Sequence, residues 1–143
     1  MNIHQISVFL ENRTGQLAEI AKLLADNNID IRALSIAETS DYGLARMIVD
    51  DAHKASAVLL AHGDILSMTP VWAVEVPDAP GGLADLLSLL AAEQIDVEYM
   101  YSLFTNKDGH AYMILRISDE PTFLDALGRN KIKVMTKEEL GLK

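Results

Sequence analysis

An internal repeat sets the architecture of this chain. Moved along the sequence by 66 positions, residues 4–49 fall on residues 70–115 without a gap, and about 14 of the 46 pairs are identical. Gly15 meets Gly81, Leu17 meets Leu83, Leu23-Leu24-Ala25 meets Leu89-Leu90-Ala91, Ile29-Asp30 meets Ile95-Asp96, Gly43 meets Gly109, and Met47-Ile48 meets Met113-Ile114. Past Val49 one inserted residue restores the register, so that Ile65 and Met68 meet Ile132 and Met135. One unit has been duplicated, and the expected domains are residues 1–69 and 70–143.

Each unit reads strand, helix, strand, strand, helix, strand. Alternation along Ile6–Leu10 suits a partly buried strand, with Trp72–Val76 as its counterpart. Residues 16–27 follow as a helix, because Leu17, Ile20, Ala21 and Leu24 recur at i, i+3, i+4 and i+7; Leu83, Leu86, Leu87 and Leu90 repeat that stripe. Strands over 29–37 and 44–49 flank the turn Ser40-Asp41-Tyr42-Gly43, as strands over 97–105 and 111–117 flank Asn106-Lys107-Asp108-Gly109. Second helices, over 52–61 and 121–129, end at Gly63 and near Asn130, residue types that adopt the left-handed conformation closing a helix. Short strands at 65–68 and 132–135 complete the units.

A βαββαβ unit folds as an antiparallel sheet with both helices on one face, the ferredoxin-like arrangement of the α+β class. The face without helices then needs a cover. Along 97–105, alternation puts Val97, Tyr99, Tyr101 and Leu103 on one side and Met100 and Phe104 on the other, so neither side is polar. A second copy of the chain is the expected cover, giving a homodimer; a half-exposed apolar sheet is the alternative.

Composition removes several function classes. With no cysteine, a thiolate nucleophile, a disulfide framework and a Cys-ligated zinc site are excluded. The formal charge of -9, from 12 basic against 21 acidic residues, opposes nucleic acid and anionic membranes as partners. The first residues, MNIHQISVFLENR, carry no secretory pattern, and charges or glycines interrupt every apolar window before the roughly 18 residues a membrane span requires, so a cytoplasmic protein is expected.

The segment richest in chemistry is Leu10-Glu11-Asn12-Arg13-Thr14-Gly15-Gln16-Leu17, a strand end turning through glycine into a helix. The first amides of a helix have no intrahelical acceptor and stand at the positive end of its dipole, so a small carboxylate binds there without a Lys or Arg. Gly15 lets a ligand approach the backbone closely. An anionic group has to be held by such local donors, since the net field of the chain repels it.

Here the sequence resembles the ACT family, whose first loop typically runs Glu-Asn-Arg-Pro-Gly-x-Leu and whose second strand opens with an apolar-Asn/Asp-apolar triplet. Glu11-Asn12-Arg13-Thr14-Gly15-Gln16-Leu17 departs from it only at Thr14, and Pro80-Gly81-Gly82-Leu83 restores the Pro-Gly-x-Leu part. Ile29-Asp30-Ile31 and Ile95-Asp96-Val97 supply the triplets. The resemblance spans nearly the whole chain, twice. It implies ACT repeats whose sheets join side by side, with amino acids bound where the first loop of one unit meets the second strand of the other. On that template the amides of Gly15 to Leu17 and the Asn12 side chain hold a ligand α-carboxylate, while Asp96 accepts its ammonium; the mirror site uses Gly81 to Leu83 with Asp30. Charge-assisted hydrogen bonds at both ends favour a zwitterion. Asp78 aligns with Asn12 and adds a negative charge to the mirror site, so the first loop is the favoured one. The plainer alternative makes Asp78 a helix cap and Asp30 and Asp96 loop ends.

Other polar residues point elsewhere. His4, His53, His62 and His110 form no metal-ligand pair, so no metal and no cofactor are expected, although His4 and His110 lie near strands where a ligand could be read. Asp50-Asp51 and Asp119-Glu120 suit helix N-termini. Arg46 and Arg116 lie in strands and reach solvent or oligomer acids. Tyr99 and Tyr101 lack the basic groove of a base-stacking sheet. Thr136-Lys137-Glu138-Glu139 has a capping-box pattern and adds a helical turn. The expected function is an amino-acid-binding regulatory module with no catalytic residues, acting allosterically. A structural oligomerisation module, or a small ferredoxin-like enzyme without cofactor, is the alternative.

Overall fold

The order of elements is β1 (Ile3–Leu10), α1 (Gln16–Asp26), β2 (Ile31–Glu38), β3 (Gly43–Val49), α2 (Ala52–His62), β4 (Leu66–Pro77), α3 (Gly82–Ala92), β5 (Val97–Ser102), β6 (His110–Ile117) and α4 (Glu120–Arg129). A computed structural model describes residues 2–11, 13–38 and 41–143 of the chain. Two compact units separate: His4–Pro70 with Gly141–Lys143, and Val71–Leu140 with the residues up to Ile3.

In the first unit β1 and β2 both pair antiparallel with β3, Ile6 opposite Met47 and Leu34 opposite Met47 on its other edge. The start of β4 lies beside β1, where the Phe9 N–H donates to the Ile65 carbonyl at 2.9 Å. Period-two alternation sends Ile6, Val8, Ala45, Met47 and Val49 to one face, against the α1 stripe Ile20 and Leu24 and the α2 residues Ala52, Ala55 and Leu59. Both helices therefore cover the same face. Burying each large side chain of this set contributes about 1.5–3 kcal/mol before the entropy of ordering is set against it.

The second unit repeats the plan. Strands β4 and β5 pair antiparallel with β6, and the residues around Val134 take the fourth strand position: the Glu75 N–H donates to the Lys133 carbonyl at 3.0 Å and the Met135 N–H to the Ala73 carbonyl at 2.8 Å. Trp72, Val74, Leu115 and Ile117 pack on Leu86, Leu90, Phe123, Ala126 and Leu127. Each unit is thus a βαββαβ ferredoxin-like repeat, as the periodicities predict.

Helix ends follow the chemistry of their caps. The Asp51 carboxylate accepts the Lys54 N–H at 3.1 Å at the start of α2, and Asp119 accepts the Thr122 N–H at 3.2 Å and its hydroxyl at 2.7 Å at the start of α4. Gly63, at φ 97, closes α2. After α4, Lys131 rather than Asn130 takes the left-handed conformation, at φ 56, because the Asn130 side chain is held to the Ala126 carbonyl at 2.8 Å. Thr136 and Glu139 form the reciprocal capping box, at 2.9 and 3.2 Å.

Two features differ from the sequence reading. The strands expected at 65–68 and 72–76 are one continuous strand, since Pro70 at a fixed φ extends the backbone and only a ladder donor is lost. The face assignment along β5 is also corrected. An irregularity between Val97 and Tyr99 puts Val97 and Met100 together in the helix-side core, opposite Ile117 and Leu115, while Tyr99 and Tyr101 stack on the other face, 6.5 Å apart. The same irregularity falls between Ile31 and Ala33, so Ile31 and Leu34 share the core face of β2. A bulge of one residue inverts every later side chain of a strand, and the duplication has kept it in both copies. Among the described residues, no helix is long and apolar enough to cross a membrane.

Candidate functional site

Helix α1 starts after Gly15, whose φ of 84 suits a residue without Cβ, and among the described residues no side chain caps it. The Gln16 N–H turns back to the Arg13 carbonyl at 3.2 Å and the Glu19 N–H to the Gly15 carbonyl at 3.0 Å. Between them, the amides of Leu17 and Ala18 meet no backbone acceptor among the described residues. Both residues line a cavity of about 420 Å³, with Leu10, Arg13, Thr14, Gly15 and Gln16 from the loop and Ile36, Glu38 and Gly43 from the strands. Its size lies within the range of small-molecule sites.

Strand register assembles the far wall. Leu10 pairs with Gly43 and Gly43 with Glu38, so the ends of β1, β3 and β2 stand in one row beside the loop. The loop wall is held by Gln16, which is 7% exposed and whose Oε1 accepts the Glu11 N–H at 2.7 Å. Arg13 is paired with Glu19. Amide donors at the positive end of a helix and a carboxylate at a strand end thus border one concavity, which suits a ligand carrying charges of both signs.

The second loop has the same backbone and a different wall. Helix α3 starts after Gly81, at φ 93, with the Gly82 N–H on the Ala79 carbonyl at 3.0 Å and the Asp85 N–H on the Gly81 carbonyl at 2.9 Å. Gly82 replaces Gln16, and its backbone is so close to Pro77 that an added Cβ would stand 2.0 Å from the Pro77 oxygen. The Asp78 N–H donates to the Gly109 carbonyl at 2.8 Å, and its carboxylate accepts from the Asn106 amide at 3.1 Å. A cavity of about 310 Å³ in this unit lies along α3, between Gly82, Leu86 and Leu89 and the residues Asn130 and Ile132.

The family model for the ACT domain pair matches residues 1–142. This chain belongs to that family. A solved structure of a Bacteroides thetaiotaomicron protein is 35% identical, covers 99% of this chain and 96% of its own, and superposes with a TM-score of 0.90. The regulatory subunit of aspartate kinase from Thermus thermophilus, solved in a ligand-free form, is 17% identical with a TM-score of 0.65, over 88% of this chain and 91% of that one. Its Thermus flavus counterpart is 18% identical with a TM-score of 0.60, over 88% and 90%. At these identities the likeness to the kinase subunits is one of fold. No curated protein matches the chain.

In this ACT pair, six of the residues expected at a ligand, Leu10, Arg13, Thr14, Gly15, Gln16 and Leu17, line one cavity. Asn12 lies outside the described residues, as do Thr39 and Ser40 of the first hairpin turn. Asp30 belongs to the opposite end of its repeat: its N–H donates to the Asp50 carboxylate at 2.9 Å, and its own carboxylate stands 3.9 Å from Arg32. Ile31 and Val97 pack on the cores of their repeats. Asp96 is exposed just before β5, and Leu83 is 40% exposed on α3. Gly81 and Gly82 shape the second loop as described, and Asp78 binds the β5–β6 turn rather than capping α3. Sequence reasoning missed Ala18, the next residue of the helix, and it missed Ile36, Glu38 and Gly43, whose link to the loop exists only through strand register.

Proposed function

We propose that this ACT pair is a non-catalytic regulatory protein that binds a free amino acid, with repeats 1–69 and 70–143 as its functional units. The observation that carries the reading is the first-repeat cavity, in which the Leu17 and Ala18 amides open a helix beside a strand-end carboxylate. The amides receive the ligand carboxylate, and Gly15 keeps the approach clear, an added Cβ there meeting nothing within 4 Å. The family resemblance adds the Asn12 side chain as a further carboxylate ligand and the second-strand aspartates, Asp96 and, for the mirror site around Gly81–Leu83, Asp30, as acceptors of the ammonium. The working form is a cytoplasmic homodimer, and binding regulates by favouring one state of the assembly.

Regulatory subunits of aspartate kinase have this fold, so regulation is a use the fold supports. A thermal-shift screen of the purified chain against the twenty standard amino acids tests the reading, because a ligand selective for the native state raises its melting temperature. One or a few amino acids should stabilise it saturably. Silence in this screen and in calorimetry would contradict it.

A further inference from the structure

We propose that Glu38 accepts a cationic group of the ligand in the first-repeat cavity, an inference that rests on the amino-acid reading above. Among the described residues that line the cavity, Glu38 is the one carboxylate, and the one cationic side chain, Arg13, is already paired with Glu19. Glu38 closes β2, opposite Gly43, which in turn lies opposite Leu10 at the root of the loop. Gly43 has no side chain to stand between the two. The register therefore delivers an anion to the same concavity as the amide donors, from the same repeat.

The duplication supplies an internal comparison. The residue aligned with Glu38 in the second repeat is Phe104, 64% exposed, and the one aligned with Ile36 is Ser102. The carboxylate is thus a property of the first repeat and not a requirement of the fold, whose second copy ends its strand without one. Set beside donors for a carboxylate, Glu38 selects ligands that also carry a cation, and against simple carboxylic acids, through a charge-assisted hydrogen bond. The cation is either the α-ammonium or a basic side chain.

Calorimetric titration of wild type and Glu38→Gln separates these cases, using the tightest binder of the twenty amino acids, its analogue lacking the α-amino group, and an analogue with an uncharged side chain. Glutamine keeps the size and removes the charge. The amino acid should bind Glu38→Gln about tenfold more weakly, and the analogue lacking the recognised cation should bind both proteins alike. Which analogue shows this identifies the cation. Equal binding of the amino acid to both proteins, or the same loss for every analogue, overturns the role of Glu38 and leaves the amino-acid reading standing. Failure of every amino acid to bind wild type overturns both.

Discussion

The Gln16 side chain folds back to accept the Glu11 N–H at 2.7 Å, and both residues are exchanged in the second repeat, for Gly82 and Pro77. Proline has no N–H to donate and glycine has no side chain to accept, so the bond is lost from both ends at once. In its place the Gly82 backbone closes on the Pro77 carbonyl. Two loops with matching backbone hydrogen bonds therefore have different walls.

Gly82→Ala should be far more damaging than Gly15→Ala. A Cβ at position 82 would lie 2.0 Å from a backbone oxygen, which cannot rotate aside, whereas one at Gly15 meets nothing within 4 Å and only the positive φ opposes it. Urea denaturation should show a loss of roughly 1 kcal/mol for Gly15→Ala and about 3 kcal/mol or more for Gly82→Ala.

Gln16→Ala should cost about 1–2 kcal/mol, by withdrawing the acceptor from a partly buried amide, and should weaken amino-acid binding by loosening the loop wall. Gln16→Glu retains an acceptor oxygen and should keep most of the stability. Paired denaturation and calorimetry on the two variants check this.

Much of the fold was legible because the repeat doubled every signal: Leu17, Ile20 and Leu24 mark a helix face, and Leu83, Leu86 and Leu90 mark it again. The bulges at Ile31–Ala33 and Val97–Tyr99 were not legible, since one extra residue in a strand changes no composition and the tyrosines suit either face. The loop half of the cavity could be read from Arg13-Thr14-Gly15-Gln16, residues that act where they stand in sequence. Glu38 could not, because only the pairing Leu10, Gly43, Glu38 brings it to the loop. The exchange of Gln16 and Glu11 for Gly82 and Pro77 is plain in the alignment, and its meaning appears only with the 2.7 Å bond.

Trp72→Phe should change stability by no more than about 1 kcal/mol, less than its depth suggests. Trp72 is 4% exposed and packs near Phe123, yet its indole N–H meets no acceptor among the described residues. The substitution loses packing volume and also relieves an unsatisfied donor, and the two effects oppose each other. Denaturation followed by circular dichroism measures the balance.

On the acid side, the Glu139 carboxyl should titrate below the ordinary glutamate range. The Thr136 N–H holds it down first and Lys133 second. A carboxyl depressed in the folded state contributes stability that is present above its unfolded pKa and lost as pH falls through the folded value. The C-terminal turn should therefore loosen at the acid end, below the usual carboxylate range, and Glu139→Gln should flatten that part of the profile. Carboxyl titration by NMR and acid unfolding of the variant measure both.

Whether the first-repeat loop holds an amino acid is read most directly from an NMR titration of the amide-labelled chain with the amino acid that stabilises it most. Saturable shifts should concentrate at Gly15, Gln16, Leu17 and Ala18, with the equivalent amides of Gly81 to Ala84 moving far less. Shifts confined to the second loop, or none at either helix start, would contradict binding at the first loop.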